Sequence, residues 1–319
     1  MGDFLEVRRL EKAFPVERGL FRRTVGSVHA VRDLTFSVGR GKTFAVVGES
    51  GCGKTTLARL ILRLLEPDRG EIALGGEALT TLQGEALRRT RRRVQMVFQD
   101  PVSSLNPRLT VEQTLSGPMR AHGISDHRAR ARALLEQVGL APHHLGRYPH
   151  EFSGGQRQRI AIARAIAVGP ELLVADEPVS ALDVSIQAQI LNLFLELQAS
   201  MSLTYVFIAH DLSVVRHLAN RVAVMYLGRI VEVGARDAIF DAPAHPYTRS
   251  LLSAVPRLGR RSERVTLVGE APSPLAPPSG CSLHPRCPFA FDRCRVEAPK
   301  LVQLPGVDHE VACHLQEQA

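Results

Sequence analysis

The sequence predicts an α/β fold built on a parallel sheet, and three observations carry that prediction. Residues 48–56 read Gly48-Glu49-Ser50-Gly51-Cys52-Gly53-Lys54-Thr55-Thr56, a complete G-x-x-x-x-G-K-[ST] phosphate-binding loop. The loop stands between the apolar run Thr43-Phe44-Ala45-Val46-Val47 and the helix-patterned run Leu57-Ala58-Arg59-Leu60-Ile61-Leu62, the strand–turn–helix order that gives the motif its meaning. Two more short, almost wholly apolar runs, Leu172–Ala175 and Tyr205–Ala209, alternate with helical patterns, as strands buried on both faces of a parallel sheet do.

Taken in order, the chain opens with short strand patterns at Phe4–Val7, Val28–Val31 and Leu34–Val38, the last alternating as a half-exposed strand does. Phe14 is a candidate to stack on a purine ring, or else a core residue. In the phosphate loop Gly48, Gly51 and Gly53 let the backbone wrap closely around phosphate oxygens and aim N–H groups at them. The positive end of the following helix adds to that field. Lys54 is expected to bridge the β- and γ-phosphates, and the Thr55 hydroxyl to ligate Mg²⁺. The basic run Arg88-Arg89-Thr90-Arg91-Arg92-Arg93 closes an amphipathic helical pattern, where cations suit a helix C-terminus. The strand Val94–Phe98 leads to Gln99, a candidate Mg²⁺ and water contact.

From about 110 to 168 the pattern is helical. Within it Phe152-Ser153-Gly154-Gly155-Gln156 opens a helix running Arg157 to Val168, with Ser153 as N-cap. Taken alone, Ser-Gly-Gly is an ordinary loop-to-helix turn. The strand at 172–175 ends in Asp176-Glu177. Asp176 suits Mg²⁺ and Glu177 suits orientation and deprotonation of an attacking water. Ser180-Ala181-Leu182-Asp183 and a helix at 184–199 follow. His210, at the end of the strand Tyr205–Ala209, can reach a γ-phosphate or bond locally. After about residue 240 proline becomes frequent, and 271–280 reads as a stiff extended linker.

Composition narrows the class. A hydrophobic content of 45% over 319 residues supports a sizeable core. No run of apolar residues is long enough to span a membrane, the first residues lack a signal-peptide profile, and Glu6 breaks the myristoylation pattern, so a cytosolic location is expected. The net charge is +8 and is carried almost wholly by arginine, since lysine occurs only at Lys12, Lys42, Lys54 and Lys300. Such basicity suits nucleic acid, an anionic membrane surface, or simply a solvated exterior. Of the 5 cysteines, Cys52 lies in the loop and Cys281, Cys287, Cys294 and Cys313 crowd the end, which in a cytosolic chain argues for metal over disulfides.

The order Lys54, Gln99, Ser153-Gly154-Gly155-Gln156, Asp176-Glu177, Asp183, His210 resembles the ATP-binding cassette ATPases over residues 1–240. The resemblance implies a RecA-like phosphate-loop core at about 1–98 and 156–235 with an antiparallel β subdomain, and an inserted helical subdomain at about 99–155. It implies that two cassettes meet head to tail, with ATP and Mg²⁺ between the phosphate loop of one and the Ser-Gly-Gly-Gln signature of the other. Phe152 departs from the leucine usual at the start of that signature.

The stretch His245-Pro246-Tyr247-Thr248-Arg249-Ser250-Leu251-Leu252, then Ala254-Val255-Pro256 and the late cysteines, resembles the C-terminal region of ATPase subunits of oligopeptide and dipeptide importers. Residues 179–189 and the basic insert Gly19-Leu20-Phe21-Arg22-Arg23 look similar to that branch too. This implies a C-terminal extension at 241–319, two permease subunits, a second ATPase subunit that is commonly a paralogue, and an extracytoplasmic substrate-binding protein, with the chain on the cytoplasmic face of the inner membrane. The solutes of the branch are dipeptides, oligopeptides, nickel or oligosaccharides, and no nucleic acid is expected.

The gaps between the four late cysteines, 282–286, 288–293 and 295–312, match neither ferredoxin runs nor zinc ribbons. Related importer subunits carry a [4Fe–4S] cluster on this pattern. A tetrahedral Zn²⁺, with His284 or His314 joining in, is the alternative, and free thiols a third. A reading from another class, a cassette ATPase acting on nucleic acid, rests on the basic charge and the cysteines.

Overall fold

The computed structural model describes residues 3–18, 23–254 and 265–317. Residues 19–22 of the basic insert Gly19–Arg23, and Val255-Pro256, therefore lie outside the described residues. The chain divides into two compact units, one made of Gly39–Lys42 and Thr81–Ile208, the other of Asp3–Val38, Thr43–Thr80 and the residues from Ala209 onward.

The unit that holds the phosphate loop contains two sheets. In the first, the long strand Asp3–Arg18 lies between Arg23–Gly39 and Arg69–Leu74, and the last of these pairs with Glu77–Ala78. The pairing of Asp3–Arg18 with Arg69–Leu74 is antiparallel, Val7 facing Ile72, and both are buried. In the second, the strand Thr43–Val47 pairs in parallel with Arg221–Tyr226. The strand Arg229–Ala235 then pairs antiparallel with Arg221–Tyr226, followed by His309–Val311 and Val302–Gln303. Every residue of Thr43–Val47 is buried, which is why its sequence does not alternate. The helix Lys54–Ile61 follows the loop and buries Leu57, Ala58, Leu60 and Ile61.

In the other unit Val94–Val97, Leu172–Asp176 and Thr204–Ala209 pair in parallel, the arrangement expected from their continuous apolar runs. The helix Val184–Met201 brings Phe194 edge-on to Tyr205 and Phe207, and the Tyr205 hydroxyl donates to the Phe194 carbonyl at 2.9 Å. The helical stretch predicted from about 110 resolves into Val111–Ala121, His127–Gln137 and Gly154–Ile166. Gly123 and Gly139, at φ of 66° and 71°, terminate the first two as left-handed residues just past the helix end.

The basic run of the helix Gly84–Arg93 is largely absorbed inside this unit. Arg88 forks onto Glu85 at 2.8 and 2.9 Å, Arg92 donates to the Val168 carbonyl at 3.1 Å, and Arg93 pairs with Glu171. Among the described residues no helix is long and apolar enough to cross a membrane.

Candidate nucleotide-binding site

The phosphate loop leaves the buried strand Thr43–Val47 and turns on glycines that no other residue can replace. Gly48 and Gly53 have φ of 157° and 108°. A Cβ on Gly48 would come within 2.2 Å of the Met225 carbonyl oxygen, and one on Gly53 within 2.0 Å of that of Ala30. Both obstacles are backbone, so the loop has no room to yield. Gly51, at φ 79°, has open space around it and needs glycine for its backbone angle alone.

The helix Lys54–Ile61 begins at Gly53 with no side-chain cap, so no side chain competes for the N–H groups of its first turn. An anion is the natural partner of such a terminus. Lys54 is buried, and its ammonium donates to the carbonyls of Gly48 at 2.7 Å and Glu49 at 2.9 Å. These are neutral acceptors. A phosphate oxygen is a charged one and makes the stronger hydrogen bond. Ser50 and Thr55 are exposed, Thr56 is half-buried, and Cys52 is buried with its thiol raised in pKa, chiefly by burial. Phe14 is half-buried on the strand Asp3–Arg18, with the Lys12 ammonium 5.7 Å from its ring centre. His210 belongs to the same unit and is exposed, immediately before Asp211, whose carboxylate caps the helix Leu212–Leu218 by accepting from Ser213 N–H at 2.7 Å.

The other unit carries the acidic pair and the Ser-Gly-Gly-Gln turn. Asp176 is the last residue of a fully buried strand and is itself 3% exposed. Glu177 follows in the left-handed region at φ 45°, a conformation that costs a non-glycine residue and is common at functional sites. The Gln99 side-chain amide donates to its carboxylate at 3.2 Å, so the two residues expected to handle water lie within hydrogen-bond reach of each other. Ser180 closes the turn by donating its hydroxyl to the Glu177 carbonyl at 3.0 Å.

Ser153 caps the helix Gly154–Ile166 in a reciprocal box. Its hydroxyl accepts from Gln156 N–H at 3.4 Å, while the Gln156 side-chain oxygen accepts from Ser153 N–H at 3.1 Å. Gly155 is fixed by packing, because a Cβ there would stand 2.5 Å from a methyl of Ile186. Ser153 and Gly154 are exposed, so this helix start opens to solvent. Phe152 is buried, with His144 edge-on at 5.3 Å and the Arg147 guanidinium 4.9 Å from its ring, which accommodates an aromatic residue at this position. Asp183 is exposed and precedes the helix Val184–Met201 without a side-chain cap hydrogen bond.

The late cysteines are all free thiols. Cys281, Cys287, Cys294 and Cys313 line one small hollow of about 10 Å³, together with His284 and His314. Burial raises the pKa of the Cys281 and Cys287 thiols and pushes that of Cys313 up to about 11. A zinc centre needs donors about 2.0–2.3 Å from one ion, hence sulfurs about 3.8 Å apart. Among the described residues no three or more His, Cys, Asp or Glu side chains gather as such a centre, so the zinc expectation is not met and a [4Fe–4S] cluster takes no support from a formed site. One ring nitrogen of each histidine is also taken by a carbonyl: His284 Nδ1 lies 3.0 Å from that of Cys281, and His314 Nε2 3.0 Å from that of Glu297. What the structure offers a cluster is the donor set alone, four thiols around one hollow.

Reasoning from sequence overlooked two residues near the loop. Tyr247 is fully buried and its hydroxyl accepts from Glu49 N–H at 2.7 Å, and Arg286 forms an ion pair with the Glu49 side chain. Both lie in segments noted for their resemblance, but no local pattern ties them to the loop.

Comparison with known proteins agrees with this layout. Residues 31–180 match the ABC transporter family, and residues 231–294 match the oligopeptide/dipeptide transporter C-terminal region. The chain is 53% identical to the probable peptide ABC transporter ATP-binding protein y4tS of Sinorhizobium fredii, covering 100% of this chain and 92% of that one. It is 51% identical to the oligopeptide transport ATP-binding protein AppF of Bacillus subtilis, covering 98% and 97%. Among solved structures, the ATP-binding cassette MJ0796, a dimer in a post-hydrolysis state with ADP and Pi, superposes with a TM-score of 0.64 at 26% identity, over 73% of this chain and 98% of that one. The nucleic-acid reading gains no support from these matches.

Proposed function

The chain belongs to the ABC transporter family as one of its ATP-binding subunits, and on that premise we propose that it hydrolyses ATP to drive uptake of di- and oligopeptides through membrane-embedded permease partners. The observation that carries the ATP reading is the phosphate loop itself, with glycines that backbone contacts make irreplaceable, an uncapped helix start and a lysine held by two carbonyls and the Cys52 sulfur. The peptide reading rests on the match of the C-terminal region and on the relatives' likeness along the whole chain.

Lys54 leaves its two carbonyls for the β- and γ-phosphates, and the N–H groups after Gly53 hold the same anion. Thr55, Gln99 and Asp176 are the residues that would hold Mg²⁺, which would neutralise phosphate charge. Glu177 accepts the proton of the attacking water, and Gln99, already bonded to it, keeps the carboxylate aimed. The remaining roles follow their motifs: His210 toward the γ-phosphate, Phe14 against the purine, and Ser153, Gly154, Gly155, Gln156 and Asp183 toward the nucleotide of a partner cassette. Such pairing is head to tail, and the partner is a paralogous subunit. The domain scheme is a cassette over 1–240 and an extension over 241–319. The site of action is the cytoplasmic face of the membrane, beside two permeases and served by an extracytoplasmic binding protein.

For the four cysteines we propose the [4Fe–4S] cluster, because its donor set is present as free thiols around one hollow. Iron analysis of anaerobically purified protein tests it, and absence of iron rejects it.

The transport reading is tested in proteoliposomes that hold the full chain, its permeases and the binding protein. Labelled dipeptide accumulates only with ATP on the side of this chain. ATP hydrolysis without peptide accumulation rejects the peptide assignment and leaves the ATPase standing.

A further inference from the structure

Glu49 places a carboxylate inside the loop that must hold a polyanion. Left alone, it would repel the phosphates the loop exists to bind. The structure answers that charge from far along the chain. Arg286, from the segment between Cys281 and Cys287, brings Nη1 to 2.9 and 3.2 Å from the two Glu49 carboxylate oxygens and Nη2 to 3.2 Å from one of them. The side chains of Arg286 and Glu49 are 11% and 32% exposed, so the pair is only partly screened by water. The Tyr226 hydroxyl accepts from Nη1 at 3.5 Å and its ring lies 6.0 Å from the guanidinium carbon, which fixes the fork in place. On the backbone side the buried Tyr247 hydroxyl takes the Glu49 N–H at 2.7 Å. One residue of the loop is thus held at both its amide and its carboxylate by the C-terminal segments.

We infer that Arg286 and Tyr247 are positioning residues of the nucleotide site: Arg286 neutralises Glu49 and Tyr247 anchors its amide, so that the C-terminal extension sets ATP affinity. The inference rests on the reading of residues 48–56 as the ATP-binding loop. It makes a prediction that a merely structural role for the extension does not. Removing the cation exposes the carboxylate and weakens ATP binding. Removing the carboxylate as well cures the defect, although the ion pair is still lost.

The test is equilibrium binding of a fluorescent ATP analogue with Mg²⁺ to the full chain, at low and high salt. Arg286→Met raises Kd about tenfold at low salt, the size expected of one unscreened charge near the phosphates, and less at high salt. Arg286→Met combined with Glu49→Gln returns Kd to within about threefold of wild type, and Arg286→Lys recovers part of the loss. Tyr247→Phe raises Kd by roughly threefold or more, since it leaves a loop N–H without its acceptor. As a control, Arg293→Ala breaks the contacts of Arg293 with Glu297 and Glu317 in the same segment and leaves Kd unchanged.

A wild-type Kd for Arg286→Met overturns the inference, and so does a double variant as weak as the single. If Arg286→Met does not fold, Glu49→Arg decides: a reversed charge facing Arg286 must disturb ATP binding, and an unchanged Kd overturns the inference equally. Failure of the wild-type chain to bind the analogue at all rejects the ATP reading instead.

Discussion

Glu232→Ala tests whether one buried side chain ties the C-terminal strand to the cassette sheet. Glu232 is 0% exposed on the strand Arg229–Ala235, where the register against Arg221–Tyr226 shifts between Ile230 and Glu232. A bulge of this kind re-aims a side chain, here turning a glutamate into the core. Its carboxylate serves three groups. Oε1 accepts from Ala244 N–H at 2.6 Å and lies 2.7 Å from His309 Nε2, and Oε2 accepts from His245 N–H at 3.1 Å.

Truncation leaves two buried backbone N–H groups and one imidazole without this acceptor, at about 1–3 kcal/mol for each orphaned donor. The total is held to about 3–5 kcal/mol, the range measured when one partner of a buried pair is removed. Because the chain has two units, a single melting temperature is a poor reading, and local hydrogen exchange is the better assay. At about 1.4 kcal/mol per decade, exchange in peptides covering 244–248 and 309–313 accelerates by roughly 10²–10⁴-fold, while peptides around Leu172–Asp176 stay protected. Glu232→Gln keeps one acceptor oxygen and falls between. Protection at 244–248 and 309–313 within twofold of wild type in Glu232→Ala would refute the argument that this carboxylate carries the junction.

The remaining predictions concern chemistry and pH. Glu177→Gln keeps the Gln99 contact but loses the base, so ATP turnover falls by about 10²–10⁴ with ATP affinity preserved, as measured by steady-state hydrolysis and nucleotide binding. Lys54→Ala removes the only cation within the loop, and ATP Kd rises roughly 10²-fold in a titration with Mg²⁺-ATP. His245 is buried and its pKa is lowered to about 4, chiefly by desolvation, against an unfolded value of about 6.5. A depressed imidazole pKa means the unfolded chain takes up the proton first, so stability is whole above about pH 6.5 and falls as pH drops toward 4, by about 2 kcal/mol at pH 5. His245→Asn retains an acceptor for Tyr247 N–H, and its hydrogen-exchange protection over 244–248 must fall less between pH 7 and 5 than that of wild type; equal losses clear His245 of the effect.

The parts of this molecule that were legible in the sequence are those whose geometry is local. The loop needs glycines at fixed spacing because backbone approaches backbone there, and the Ser153–Gln156 box is a four-residue arrangement. The strands at 172–176 and 204–209 announce themselves by burial on both faces. The hairpin from Arg221–Tyr226 to Arg229–Ala235 escaped notice for an equally local reason. Its two-residue turn, Leu227-Gly228, has φ of 43° and 81°, the signs of a type I′ turn, but leucine replaces the asparagine or aspartate that advertises one. Gly123 and Gly139 marked helix ends that a period-3.6 reading of the whole stretch smoothed over.

What no local reading finds is the traffic between the ends of the chain. Arg286 and Glu49 are 237 positions apart, His309 and Glu232 are 77 apart, and neither pair has a partner within a helical turn to betray it. Both pairs join the same two things, the phosphate-loop sheet and the C-terminal segments. One acts on the strand Arg229–Ala235, where Glu232 holds the chain that returns through Ala244 and His309. The other acts at the loop, where Arg286 meets the carboxylate of Glu49. That contact falls on a residue of the phosphate loop, so its consequence reaches nucleotide binding as well as stability.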